Sequence, residues 1–224
     1  NKDYEIIFVL DPSEDNSEKI ILESINENKN IRLIKMSRRF GQPAAMLAGI
    51  KEATLDYTVL IDVDLQDPPE LIEKMYDKIN EGYDTILAER SSKIGENIIR
   101  KTIATIGYYL ISKLSESKIP MNVGEFRMIS KKIVKYILEM EERDFFLRGA
   151  NAYIGFKNKI IKFDREDRKD GQTKYNRFTG SLRIGLNGIF SFSTKPLHFI
   201  TILSSLSFIV SSFIFILYLL LTAM

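Results

Sequence analysis

The chain has 224 residues, 45% of them hydrophobic, enough for one ordinary domain with a real core. Its 32 basic and 30 acidic residues leave a net charge of +2, so any functional charge must be local, and bulk binding of nucleic acid finds no support. The absence of cysteine excludes disulfide frameworks, zinc knuckles and thiol nucleophiles, and a single histidine, His198, excludes His triads and multi-His metal sites. Metal chemistry would have to use oxygen ligands, which suit hard cations such as Mg2+ or Mn2+.

In chain order, "YEIIFVLD" reads as a buried strand that ends in the carboxylate of Asp11. "PSEDNSEKIILESINEN" carries turn residues and then a helical pattern, "IRLIKM" is a short strand, and "GQPAAMLAGIKEAT" is a helix with small residues on one face. "YTVLIDVD" reads as a strand, "PPELIEKMYDKINEG" as a helix with Pro at its start, and "YDTILAER" as a strand. Strands alternating with helices predict a parallel α/β sheet with right-handed crossovers, whose ligands bind beyond the carboxyl ends of the strands. Asp11, Asp62 and Arg90 fall at such ends.

Residues 92–118 continue a helical pattern, "GEFRMIS" follows, and "KKIVKYILEMEE" is a helix. "DFFLRGANAYIGF" then leads into the basic stretch "DREDRKDGQTKYNRF". "TGSLRIGLNGIFSFSTKPLHF" is amphipathic, suited to a membrane interface or to a helix of the soluble domain. From Phe199 to Met224 no residue is charged, and the run is long enough to span a hydrocarbon core of about 30 Å. A buried core helix of that length would carry a polar stripe. Arg177, Arg183 and Lys195 precede the run, which by the positive-inside tendency puts the N-terminal part in the cytoplasm.

The stretch "VLIDVDLQDPPE" carries the chemistry. In an extended segment, residues two apart face the same way, so Asp62, Asp64 and Gln66 would present three oxygens to one side of a strand end. Two carboxylates that close repel one another unless a cation neutralises them, and a divalent ion held there could also grip a diphosphate.

"DVDLQDPPE" resembles the "DADLQDPPE" of family 2 glycosyltransferases of the polyprenyl-phosphate type, and other segments agree in order and spacing. "SRRFGQPAAMLAG", "GEFRMIS", "FFLRGANAYIGF", "DREDRKDGQTKY" and "FSTKPLHF" are each similar to a family motif, so the resemblance covers nearly the whole chain. It implies a GT-A (Rossmann-like) nucleotide-sugar-binding domain over residues 1–176, a juxtamembrane amphipathic segment over 177–197 and a transmembrane helix over 198–224. The implied activity is inverting transfer of a sugar, with UDP-glucose the favoured donor, to a polyprenyl phosphate such as undecaprenyl phosphate on the cytoplasmic face of a membrane. A bacterial inner membrane is the favoured setting, no nucleic acid is a partner, and a homo-oligomer is compatible with the reading.

By the same resemblance, Asp62, Asp64 and Gln66 take Mg2+ or Mn2+ together with the donor diphosphate, and Asp11 and Arg38 lie by the donor nucleotide. Arg90, Arg127, Arg165 and Arg168 form a cationic wall for the acceptor phosphate, with Lys174 and Tyr175 in the same motif; Asp64, Glu125 and Arg127 are the implied catalytic set. Departures are Glu125 where the family has Asp, "LDPS" for "DDGS", and Arg39 for Asn. The family's first strand, with its nucleotide-base turn, is expected ahead of residue 1, and a second membrane helix is usual. The absence of tryptophan argues against a processive polysaccharide synthase, which holds its chain with Q-x-x-R-W. A dehydrogenase would need a G-x-G-x-x-G after a strand, which is missing. A membrane-anchored protein that keeps the fold without catalysis is the alternative from a different class.

Overall fold

The computed structural model describes residues 3–91, 123–140, 147–164 and 194–223. The helical pattern of 92–118, Arg165, Arg168, Lys174, Tyr175 and nearly all of the juxtamembrane segment lie outside the described residues.

The first half alternates as its hydrophobic pattern predicts: β1 (Ile6–Leu10), α1 (Ser17–Glu27), β2 (Ile31–Lys35), α2 (Gln42–Glu52), β3 (Tyr57–Leu60), α3 (Leu71–Asn80) and β4 (Thr85–Arg90). Then come β5 (Val123–Ser130), α4 (Lys131–Leu138), α5 (Leu147–Ile154), β6 (Asn158–Phe163) and α6 (Lys195–Thr222).

β1 and β2 form a parallel pair, while the larger sheet has the order β3-β5-β4-β6. The expected all-parallel sheet is corrected here, because β5 runs antiparallel to both β3 and β4 and only β4–β6 is parallel. β6 escapes a hydropathy reading because Lys159 and Lys162 interrupt it; lysines of this kind shield an outer strand from pairing with other chains.

Both faces of the large sheet are covered. On one, Leu71, Met75 and Ile79 recur every four residues along α3 and meet Ile86, Ala88, Phe126, Met128 and Phe163. On the other, Ile133, Val134 and Ile137 of α4 and Leu147 and Ala150 of α5 pack with Leu60, Ile129 and Ile50. Ile50 belongs to α2, which also lies against β1: a Cβ on Gly49 would approach Val9 Cγ2 to 3.2 Å. Thus α2 ties the small sheet to the large one and brings the ends of β1 and β3 beside its own N-terminus.

Helix α6 carries a stretch, Leu197–Thr222, that is long and apolar enough to cross a membrane, with mean hydropathy 2.3 and none of it buried. At a rise of about 1.5 Å per residue it is longer than the ~30 Å hydrocarbon core.

Candidate active site

β3 stops at Leu60, and the acidic run begins two residues later. The extended geometry expected of "DVDLQ" is corrected: residues 63–65 turn, and Leu65 takes a positive φ of 58°. The cause is local, since Asp64 Oδ1 accepts the Gln66 backbone N–H at 3.2 Å, an Asx-type turn that competes with the strand. Facing nevertheless alternates: Asp62, Asp64 and Gln66 are half-buried, whereas Ile61, Val63 and Leu65 are exposed.

Asp62 is fixed from α2, where the Gln42 side chain donates to Oδ1 at 2.7 Å. Burial, then the neighbouring Asp64 carboxylate, pushes the Asp62 carboxyl above its usual range, against the Gln42 bond and Arg90, while Glu125 adds to the rise. These mutual influences bring Asp62, Asp64, Arg90 and Glu125 into one electrostatic neighbourhood. Asp67, the third carboxylate of the run, is 1% exposed and lies 4.0 Å from Arg90 Nη2.

Glu125 is aimed by an irregularity in β5. Leu87 pairs with Arg127 and Glu89 with Val123, so β5 carries extra residues between those pairs. Bulges of this kind redirect side chains and are frequent beside active sites. The Glu125 carboxylate is gripped on both oxygens: Arg127 Nη2 donates to Oε2 at 3.0 Å and Arg148 Nε, from α5, to Oε1 at 2.7 Å.

Arg127 itself is 1% exposed. Its guanidinium donates to the carbonyls of Gly124 at 2.8 Å, Glu125 at 3.3 Å and Leu147 at 3.5 Å. Burial lowers its pKa to about 10, partly offset by Glu125, so it stays cationic at neutral pH. The structure therefore sets Arg127 beneath Glu125 rather than on an open wall. A cavity of about 330 Å³ lies beside this clamp, lined by Leu87, Val123, Arg127, Arg148 and Asn151 among others. Asn151 accepts a buried hydrogen bond from Thr85 Oγ1 at 3.0 Å.

Asp11, at the end of β1, receives the backbone N–H groups of Phe40 at 3.4 Å and Gly41 at 3.2 Å. Gly41 has φ 91°, a conformation open to glycine and strained for other residues, and it leads directly into α2. Consecutive residues thus connect the two strand ends, Gly41 to Asp11 and Gln42 to Asp62. The Arg38 guanidinium lies 4.1 Å over the Phe40 ring in this same loop.

Sequence reasoning missed Gln42 and Arg148. Gln42 stands at the first turn of a helix and Arg148 inside "FLRGA"; neither spacing reveals a carboxylate that is distant in sequence. Among the described residues, no three His, Cys, Asp or Glu side chains gather as a metal site. The Asp62–Asp64 pair with Gln66 still offers oxygen donors of the type hard cations take, and Mg2+ ordinarily completes its shell with waters and substrate phosphates. The chemistry of the donor set fits a hard cation.

Paired carboxylates thus stand at a strand end of a mixed α/β domain, with arginines close by. The profile described as Glycosyl transferase family 2 matches residues 1–138, and the chain belongs to that family. Its fold is of the GT-A type, followed by one apolar C-terminal helix.

An uncharacterized glycosyltransferase of Synechocystis sp. is 41% identical over 203 residues, covering 91% of this chain and 64% of that protein. A prophage bactoprenol glucosyl transferase homolog of Escherichia coli is 37% identical over 209 residues, covering 92% and 68%. A bactoprenol glucosyl transferase of Shigella phage SfX is 35% identical over 193 residues, covering 86% and 62%. The chain therefore spans roughly three fifths to two thirds of the length of these relatives.

Proposed function

We propose that this protein is a membrane-anchored, inverting glycosyltransferase that moves a sugar from a nucleotide donor, UDP-glucose in the first instance, to a polyprenyl phosphate. The observation that carries the reading is the pair of half-buried carboxylates, Asp62 and Asp64, placed just beyond the end of β3, with Asp62 held by Gln42. Relatives named bactoprenol glucosyl transferase support the acceptor class and the sugar. The apolar helix α6 supports the anchoring, and the basic residues Arg177, Arg183 and Lys195 ahead of it favour a catalytic domain on the cytoplasmic face.

In this reading, Asp62, Asp64 and Gln66 would hold Mg2+ or Mn2+ when the nucleotide donor binds. When bound, the cation supplies Lewis-acid stabilisation of the leaving nucleotide. The acceptor phosphate is already an anion, so its oxygen attacks the anomeric carbon without a strong base, and the bond to the diphosphate breaks on the opposite face. The larger task is to bring two phosphate-bearing substrates together, which requires neutralisation and alignment. Arg90 serves the acceptor phosphate, joined by Arg165, Arg168, Lys174 and Tyr175. Glu125, clamped by two arginines, accepts a hydrogen bond from a sugar hydroxyl, and Arg127 supports it from below. Asp11 and Arg38 shape the loop beside the nucleotide.

The test uses membranes containing the full-length protein, undecaprenyl phosphate and Mn2+ or Mg2+, offered a panel of radiolabelled nucleotide sugars. Metal-dependent label in the organic phase from one donor is the expected result and identifies the sugar. Nucleotide binding without label from any donor would overturn the transferase reading.

A further inference from the structure

We propose that Arg148 is a positioning residue for transfer, acting through Glu125; this rests on the transferase reading above. Three observations support the role. Arg148 Nε lies 2.7 Å from Glu125 Oε1, the shortest contact the carboxylate makes to either arginine. Its partner on the other oxygen, Arg127, is itself immobilised by carbonyls of Gly124, Glu125 and Leu147. Glu125 stands on the irregular part of β5, where the ladder does not fix its direction.

A carboxylate held through one oxygen can still swing about its terminal torsion, which is broad for Glu. A second donor on the other oxygen removes that freedom. Each oxygen of the carboxylate then carries a fixed N–H donor, and the charge-assisted pair of bonds sets the plane of the group. Arg127 comes from the strand that bears Glu125, whereas Arg148 comes from α5. The clamp therefore also couples the packing of α5 on the sheet to the aim of the carboxylate. The extra methylene of Glu125, relative to the family's Asp, lengthens the reach to Arg148.

The experiment measures transfer by the full-length protein in membranes, with separate kcat and KM for the nucleotide sugar, in wild type, Arg148→Gln, Arg148→Lys, Glu125→Gln and the Arg148→Gln/Glu125→Gln double variant. Misplacement of a reacting group by about 1 Å costs on the order of 100-fold in rate, so Arg148→Gln is expected to lower kcat roughly 10- to 100-fold with donor KM nearly unchanged. Arg148→Lys, which keeps the charge without the fixed fork, should recover part of the loss. The double variant should be no slower than Glu125→Gln alone, since Arg148 has nothing left to position.

Wild-type kcat in Arg148→Gln, or losses that multiply in the double variant, would overturn the proposal. If Arg148→Gln does not fold, Arg148→Lys decides: full wild-type kcat overturns the role, and a reduced kcat at unchanged KM supports it. A wild-type protein that transfers no sugar would remove the transferase reading instead, so the two failures are distinguishable.

Discussion

Gly124 and Arg90 touch: a Cβ built on Gly124 would lie 2.9 Å from Arg90 Nη2 and 3.3 Å from its Cζ. The strand residue before Glu125 must lack a side chain for the Arg90 guanidinium to lie across β5 with Nη2 toward the buried Asp67. Gly124→Ala should displace the guanidinium. The displaced group is the far end of a flexible side chain, so the stability loss stays within about 1 kcal/mol. Transfer should fall about 10-fold or more, because an electrostatic group has moved. Thermal melting together with transfer kinetics checks this; unchanged kinetics would show that Arg90 does not need that position.

Arg127 makes a stability prediction. Arg127→Met keeps much of the volume but leaves the Gly124 and Leu147 carbonyls without their donor and Glu125 with one arginine. Breaking a buried ion pair from one side costs about 3–5 kcal/mol. Urea unfolding should report a loss of that order. A change below about 1 kcal/mol would mean that the buried cation contributes little beyond its packing.

Asp62 gives a pH prediction. Its carboxyl is raised by burial and by Asp64, so the folded protein holds that proton more tightly than the unfolded chain. The resulting stabilisation is fully present below the unfolded value of about 3.9 and is lost as pH rises through the raised folded value. Asp62→Asn retains an Oδ1 acceptor for Gln42 and carries no charge. The variant should therefore be more stable than wild type at neutral pH without added cation, with the gap closing as pH falls toward about 4. Urea midpoints across that range measure it, and a gap independent of pH would refute the assigned cause.

If the proposed function holds, Asp64→Ala should abolish metal-dependent transfer while leaving the fold intact, because Asp64 is only half-buried and its bond to the Gln66 N–H is local. Circular dichroism and melting control for folding. Transfer at the wild-type rate would remove Asp64 from the cation site.

How far these residues could be read from sequence follows from which contacts are local. Asp11, Asp62 and Arg90 were legible at strand ends because hydrophobic runs announce the strands and α/β topology directs their ends to one edge. The turn at Leu65 was not, since an Asx turn and a strand end share the same residues until the Asp64 bond decides between them. Nor was the antiparallel β5, whose "EFRMI" alternation is indifferent to strand direction. Arg127 could be singled out within "GEFR" but not read as buried, because its burial depends on α5 covering the strand 20 residues away.

The last prediction concerns α6. Three of its hydroxyls bond within the helix: Thr201 Oγ1 donates to the Leu197 carbonyl at 2.9 Å, Ser205 Oγ to that of Thr201 at 2.8 Å, and Thr222 Oγ1 to that of Tyr218 at 3.0 Å. Large apolar side chains dominate the surface, with Phe208, Ile209 and Phe213 each more than half exposed. Such a surface matches hydrocarbon, where unsatisfied polar groups are costly. Ile209 lies near the middle of Leu197–Thr222, so Ile209→Arg puts a charge where insertion costs about 2.5–3.5 kcal/mol. Wild type should resist alkaline extraction from membranes, and Ile209→Arg should shift a large fraction into the extract or into aggregates. Ile209→Leu should behave as wild type. Equal retention of the arginine variant would mean that α6 does not cross the bilayer at that depth.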